Sequence, residues 1–143
     1  METKQPVITL DDGAKDVGLA EMLFNLLRQN LEQKSQKLSS FEALHSNVVI
    51  VARDIEITVT LAFRKGKLTI YNGIVGKADL KIIADHDAIL DLSLINIFLG
   101  LPNYFDKVGR GILKKLVLGS LKIKGLLKHP VQLTHLTKLF SVN

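Results

Sequence analysis

The 143 residues are 47% hydrophobic and 23% charged, with a mean hydropathy of +0.23 and a formal net charge of +5. This composition excludes a disordered chain, which would be poor in apolar residues, and the length suits one domain burying roughly 68–70% of its unfolded surface. The lack of cysteine excludes disulfides, thiolate chemistry and cysteine-ligated zinc, and fits a reducing compartment.

The start, Met1 to Pro6, is polar and lacks the basic-then-apolar order of a signal peptide. Asp11 or Asp12 is placed to cap a helix running from about Ala14 to Lys37. Along it Val17, Ala20, Leu23, Phe24, Leu27 and Leu31 recur at three- and four-residue spacing, one apolar stripe. Ser39 to Asn47 carries a weak signal for a further short turn of helix.

The period then changes to two. Val48 to Val51 is apolar on both faces, while Ile55, Ile57, Val59, Leu61 and Phe63 alternate with Glu56, Thr58, Thr60 and Ala62. Arg64-Lys65-Gly66-Lys67 reads as a hairpin turn, after which Leu68 and Ile70 resume the alternation. Beyond Asn72-Gly73 and Gly76, Ala78, Leu80, Ile82 and Ala84 share one face of a fourth strand. The pattern predicts a meander of four antiparallel strands.

Asp85 or Asp87 is expected to cap a helix through Ala88, Ile89, Leu92 and Ile95 or Asn96. Pro102 is expected to open another, with Phe105, Val108, Ile112, Leu113, Leu116 and Val117 on its apolar side and Gly119 at its end. Ser120 to Lys124 alternates again as a fifth strand, with Leu121 and Ile123 inward. Pro130 opens a last helix striped by Leu133, Leu136, Leu139 and Phe140. The apolar run from Ile89 to Leu101 is interrupted by Asp91, Ser93, Asn96 and Gly100, and falls short of the ~20 residues of a membrane span. The expectation is a soluble, cytoplasmic single domain over residues 1–143, with its sheet and remaining helices from about residue 47.

Three stretches carry a family resemblance. They are Thr58 to Ile70, the hairpin; Ala78-Asp79-Leu80-Lys81-Ile82-Ile83-Ala84-Asp85-His86-Asp87-Ala88-Ile89-Leu90, a strand-to-helix passage; and Gly119-Ser120-Leu121-Lys122-Ile123-Lys124-Gly125. In order and spacing, over roughly residues 55–140, they resemble the sterol-carrier (SCP2-like) lipid-binding domains. The chain departs from the animal members in its helical stretch from Pro102 to Val117, and in ending Ser141-Val142-Asn143 rather than in a peroxisomal Ser-Lys-Leu signal.

The resemblance implies an α+β fold, a five-stranded mainly antiparallel sheet covered by helices, with an apolar tunnel between the layers. It also implies a non-enzymatic carrier of a fatty acyl lipid, sterol or isoprenoid quinone precursor. Burial of an acyl chain yields ~0.8 kcal/mol per methylene, enough to hold a lipid without a polar anchor. The helix faces supply the expected lining: Phe24, Leu27, Ile89, Leu92, Ile95, Phe98, Phe105, Ile112, Leu116, Leu133, Leu136 and Phe140. A different reading makes the same stripes the groove of a scaffold or accessory subunit that binds a protein partner.

Residues 101–143 hold eight Lys/Arg against Asp106 alone, while the first hundred residues are slightly acidic. Lys107, Arg110, Lys114, Lys115 and Lys128 are therefore candidates for docking on an anionic membrane surface. Nucleic acid is not expected, because stacking aromatics are sparse and tryptophan is absent.

No catalytic or metal constellation stands out, and no cofactor is expected. His129 and His135 are not at i, i+4 spacing, and no serine sits in a Gly-x-Ser-x-Gly elbow. His86 between Asp85 and Asp87 reads as helix-terminus electrostatics rather than a metal or acid–base cluster. Gly109-Arg110-Gly111 lacks the pattern of a phosphate loop and reads as a flexible or tightly packed stretch of helix.

Overall fold

The structure is a computed structural model describing residues 7–95, 97–98, 101–125 and 127–143, with 97, 98 and 101 described by their backbone alone. The chain opens with a strand, β1 (Val7–Leu10), and a 3₁₀ turn (Asp12–Ala14). Asp11 caps that turn, its Oδ2 accepting from the Gly13 N–H at 3.2 Å. The first helix, α1 (Gly18–Gln33), therefore starts later than the expected Ala14 and has no side-chain cap. Its stripe of Leu19, Leu23, Leu27 and Leu31 is buried. A break separates it from α2 (Lys37–Ala43), where one helix to Lys37 and a weak turn were expected.

The central strand β2 (Asn47–Ala52) is buried on both faces, as its continuous apolar run requires. A 3₁₀ turn, Arg53–Ile55, and Glu56 in the left-handed region (φ 53°) lead into β3 (Ile57–Phe63). The hairpin to β4 (Lys67–Asn72) turns on Lys65 (φ 43°) and Gly66 (φ 94°). Positive φ at both central residues matches the right-handed twist of the flanking strands.

The next strand, β5 (Leu80–Ala84), does not continue the meander. It crosses over to lie parallel beside β2, pairing Val48 with Leu80 and Ile50 with Ile82. The chain continues through α3 (His86–Leu92), a small ribbon of β6 (Ile97–Phe98) and β7 (Leu101–Pro102), α4 (Lys107–Leu118), β8 (Leu121–Lys124) and α5 (Pro130–Phe140).

The main sheet is six-stranded and mixed, ordered β1-β4-β3-β2-β5-β8, which corrects the expected five mainly antiparallel strands. The unexpected strand is β1, a four-residue edge strand parallel to β4. Its partner lies about sixty residues away, so no hairpin signal announces it. Strand β8 is antiparallel to β5, with Ile82 opposite Ile123. The residues of one face, including Ile50, Leu61, Ile70, Leu80 and Leu121, are buried in the core with the apolar sides of the helices. Phe41 of α2 meets Phe63 of β3 edge to face at 6.2 Å.

Helix α5 packs on α1 and α2, and long-range polar ties fix it there. Asn30 of α1 donates through Nδ2 to the carbonyls of Leu139 and Phe140, at 2.9 and 3.1 Å. Lys37 is buried, and its ammonium donates to the Lys138 carbonyl at 2.6 Å. Burial, reinforced by the charges of Lys34 and Lys138, pushes Lys37 down from 10.5 to about 8. Between those two values the unfolded chain holds a proton that the folded chain has released, so stability rises with pH there, by at most ~1.4 kcal/mol per unit. Denaturation midpoints measured from pH 7 to 10 are expected to follow that rise, and Lys37→Met to abolish it.

Helix α4 starts at Lys107 rather than Pro102, which instead pairs with Ile97 in the ribbon. The Asn103 side chain accepts from the Phe105 N–H, a local turn that competes with helix. Asp106 is the cap, its Oδ1 accepting from the Gly109 N–H at 2.7 Å.

Candidate functional site

The inward faces of β5 and β8 contribute Ile82 and Ile123 to an apolar cavity beneath α4 and α5. Helix α3 adds Leu92, and α4 adds Ile112, Leu113 and Leu116. From α5 come Leu133, Leu136, Thr137 and Phe140, with Tyr104 preceding α4. The cavity has a volume of about 230 Å³. That exceeds the ~150 Å³ apolar cavities that stay dry and accept benzene, and is below the ~300–1,000 Å³ of ordinary ligand sites.

The polar groups on the wall are few. Burial holds the Tyr104 phenol above the usual tyrosine range, with the neighbouring Thr137 side chain acting in the opposite sense. The Thr137 hydroxyl donates to the Leu133 carbonyl at 2.9 Å, an internal helix bond that uses its one proton. Such a wall offers dispersion contacts and exclusion of water rather than a charged anchor.

Six of the twelve residues expected to line a ligand site come together here: Leu92, Ile112, Leu116, Leu133, Leu136 and Phe140. Leu27, Ile89 and Ile95 are buried in the core away from the cavity, and Phe24 is half-buried with the Arg28 guanidinium 5.4 Å above its ring. Phe105 does not belong to the wall: it is 88% exposed, because α4 begins after it. The side chain of Phe98 lies outside the described residues. Ile82, Tyr104, Leu113, Ile123 and Thr137 were absent from the expected lining. The two isoleucines were legible as inward by strand alternation, but the expectation had drawn on helices alone.

Comparison with solved structures places this architecture. The structure described as "UbiJ-SCP2 Ubiquinone synthesis protein" superimposes with a TM-score of 0.58 at 16% identity, covering 85% of this chain and 90% of that one. A crystal structure of sterol carrier protein 2 gives a TM-score of 0.50 at 15% identity, covering 82% and 90%. The chain has the SCP2 fold. No protein-family model matches the sequence, and no curated protein matches it.

Within the SCP2 fold of this chain the basic candidates separate. Lys107, Arg110 and Lys114 are exposed on α4, and Lys128 is exposed before α5. Lys115 instead forms an ion pair with Asp91 of α3, tying the two helices together beside the cavity. Among the described residues no group of three or more His, Cys, Asp or Glu could hold a metal ion. No described helix is long and apolar enough to cross a membrane.

The polar cluster at the start of α3 has a structural origin that differs from expectation. Asp85 occupies the cap position but makes no side-chain cap bond. The capping carboxylate comes from Asp54 in the turn after β2, whose Oδ1 accepts from the His86 N–H at 2.8 Å. The other Asp54 oxygen contacts His86 Nδ1, and Asp87 lies 3.1 Å from Nε2. The Asp54 hydrogen bond holds His86 above the usual histidine range. The pairing therefore contributes in full below the unfolded value of about 6.5 and fades as pH rises through the folded one. In an NMR titration His86 is expected to lose its proton at a higher pH than an ordinary histidine, and Asp54→Asn to move that titration down.

Proposed function

We propose that the chain is a non-enzymatic carrier that holds the apolar part of a lipid in the cavity under α4 and α5. The observation that carries this reading is the cavity wall: nine hydrophobic side chains joined by Tyr104 and Thr137. Tyr104 and Thr137 are the polar side chains on that wall, and neither is charged at neutral pH. The likeness to a ubiquinone synthesis protein and to sterol carrier protein 2 supports a lipid ligand in general, and fatty acyl lipids, sterols and isoprenoid quinone precursors are the classes proposed.

The volume of about 230 Å³ sets a condition. A long chain fits only if the cavity widens, and α4 is the element to move, because it packs mainly against β8 and α3 while α5 is pinned by Asn30 and Lys37. Ligand binding is accordingly expected to slow amide exchange in α4 and the segment before it.

Native mass spectrometry on protein purified without detergent, followed by solvent extraction, tests the reading. A discrete excess mass that extracts as an acyl lipid, sterol or quinone supports it and names the class. Leu113→Trp, at the partly exposed end of the wall, is expected to abolish that mass while the protein stays folded. A clean apo mass with no uptake from mixed lipids overturns the carrier and leaves a protein-binding accessory role.

A further inference from the structure

We propose that the outer face of α4 docks on an anionic lipid bilayer and holds the mouth of the cavity against it. The inference rests on the reading of the cavity as a lipid site, and extends it to the surface from which the ligand is taken. Lys107, Arg110, Leu113, Lys114, Val117 and Leu118 are all exposed and recur at three- and four-residue steps, so they form one face. The opposite side, with Gly109 and Ile112 buried and Leu116 on the cavity wall, is the one turned to the protein. A surface helix ordinarily presents polar residues to water. Here Val117 is 85% and Leu118 67% exposed, and Phe105 stands 88% exposed just ahead of the cap.

The pattern fits a helix lying in the plane of a membrane interface. The 12 residues of α4 span about 18 Å, with Phe105 before one end and Val117 and Leu118 at the other. Three cations lie between, at the spacing that lets apolar tips enter the acyl boundary while ammonium and guanidinium groups meet phosphates. The helix itself contains no carboxylate; Asp106 caps its start, and Asp91 of α3 is engaged by Lys115. Nucleic acid matches the cations but offers nothing to the valine and leucine tips. Leu113 joins the two surfaces, being 39% exposed and also part of the cavity wall. A lipid leaving the bilayer beside it reaches the cavity over a continuous apolar path.

The chain has no tryptophan, so Val117→Trp places a single reporter on this face. With phosphatidylcholine–phosphatidylglycerol vesicles its emission is expected to shift to the blue and to be quenched by brominated acyl chains. Phosphatidylcholine alone or high salt should give little change. The triple variant K107A/R110A/K114A is expected to bind such vesicles roughly a hundredfold more weakly, and V117D/L118D at least about tenfold. Both should take up a monomeric fluorescent fatty acid in solution as the wild type does. A reporter that stays water-like on anionic vesicles overturns the proposal. So does one already buried without vesicles in a chain that sediments as a dimer, which assigns the face to a second copy. Vesicle binding that persists while fatty acid uptake fails upholds the docking face and removes the carrier reading instead.

Discussion

Gly109→Ala is expected to lower stability at the upper end of the ~1–3 kcal/mol typical of overpacking, whereas Gly111→Ala, two residues along the same helix, is expected to raise it by ~0.5–1 kcal/mol. A Cβ at Gly109 would lie 2.1 Å from the Asn103 carbonyl oxygen and 2.5 Å from Tyr104 Cα. These are backbone atoms and cannot swing aside. Helix α4 must lift or the segment at Asn103 and Tyr104 must shift, and Tyr104 and Ile112 both line the cavity. At Gly111 nothing lies within 4 Å of the added carbon, so alanine only removes the entropy cost of glycine in a helix. Urea denaturation, comparing midpoints at a common m-value, measures both. Equal and favourable effects would mean that α4 does not sit so close to the chain before it. The same lifting should alter ligand uptake by Gly109→Ala and leave Gly111→Ala unaffected.

Gln132→Leu is expected to cost about 2–4 kcal/mol, although leucine fits the apolar stripe of α5. Gln132 is 8% exposed and makes three bonds at the junction of α2 and β2. Its Oε1 accepts from the His45 N–H at 3.1 Å and from the Ser46 hydroxyl at 2.7 Å, and its Nε2 donates to the Ala43 carbonyl at 3.1 Å. Leucine would leave those groups buried or half-buried without partners, and an unmet buried group costs more than a formed bond gains. Ser46→Ala, which removes one hydroxyl and its need together, is expected to cost about 1 kcal/mol or less. Thermal denaturation of the two variants separates these outcomes. A Gln132→Leu protein as stable as the wild type would mean that water reaches the junction and replaces the side chain.

Much of the architecture was legible from residue order alone, because the determining interactions are local. Alternation in Ile57 to Phe63 and Lys67 to Asn72, with Lys65-Gly66 between them, specifies a hairpin through neighbours only. Pro130 at the first turn of α5 and the stripe from Leu133 to Phe140 specify that helix in the same way. The resemblance to sterol-carrier domains holds at the level of the fold. The inward residues of β5 and β8 were also readable, since a period of two leaves no choice once one face is buried.

What the tertiary structure alone decided depends on groups far apart in the chain. Strand β5 pairs in parallel with β2 instead of closing a meander, and β1 finds β4 across about sixty residues. Backbone bonds of this kind leave no mark on side-chain periodicity. The cap of α3 comes from Asp54 rather than the adjacent Asp85, and the C-terminal carbonyls of α5 are met by Asn30, a polar residue within the buried side of α1. The start of α4 moved from Pro102 to Lys107, which turned Phe105 from an expected wall residue into an exposed one. A helical stripe states that a residue is apolar and on one side. Whether it fills a core, walls a cavity or stands in solvent depends on which surface arrives opposite it. Here the approach of α4 and α5 to the β5–β8 end of the sheet is what leaves the cavity.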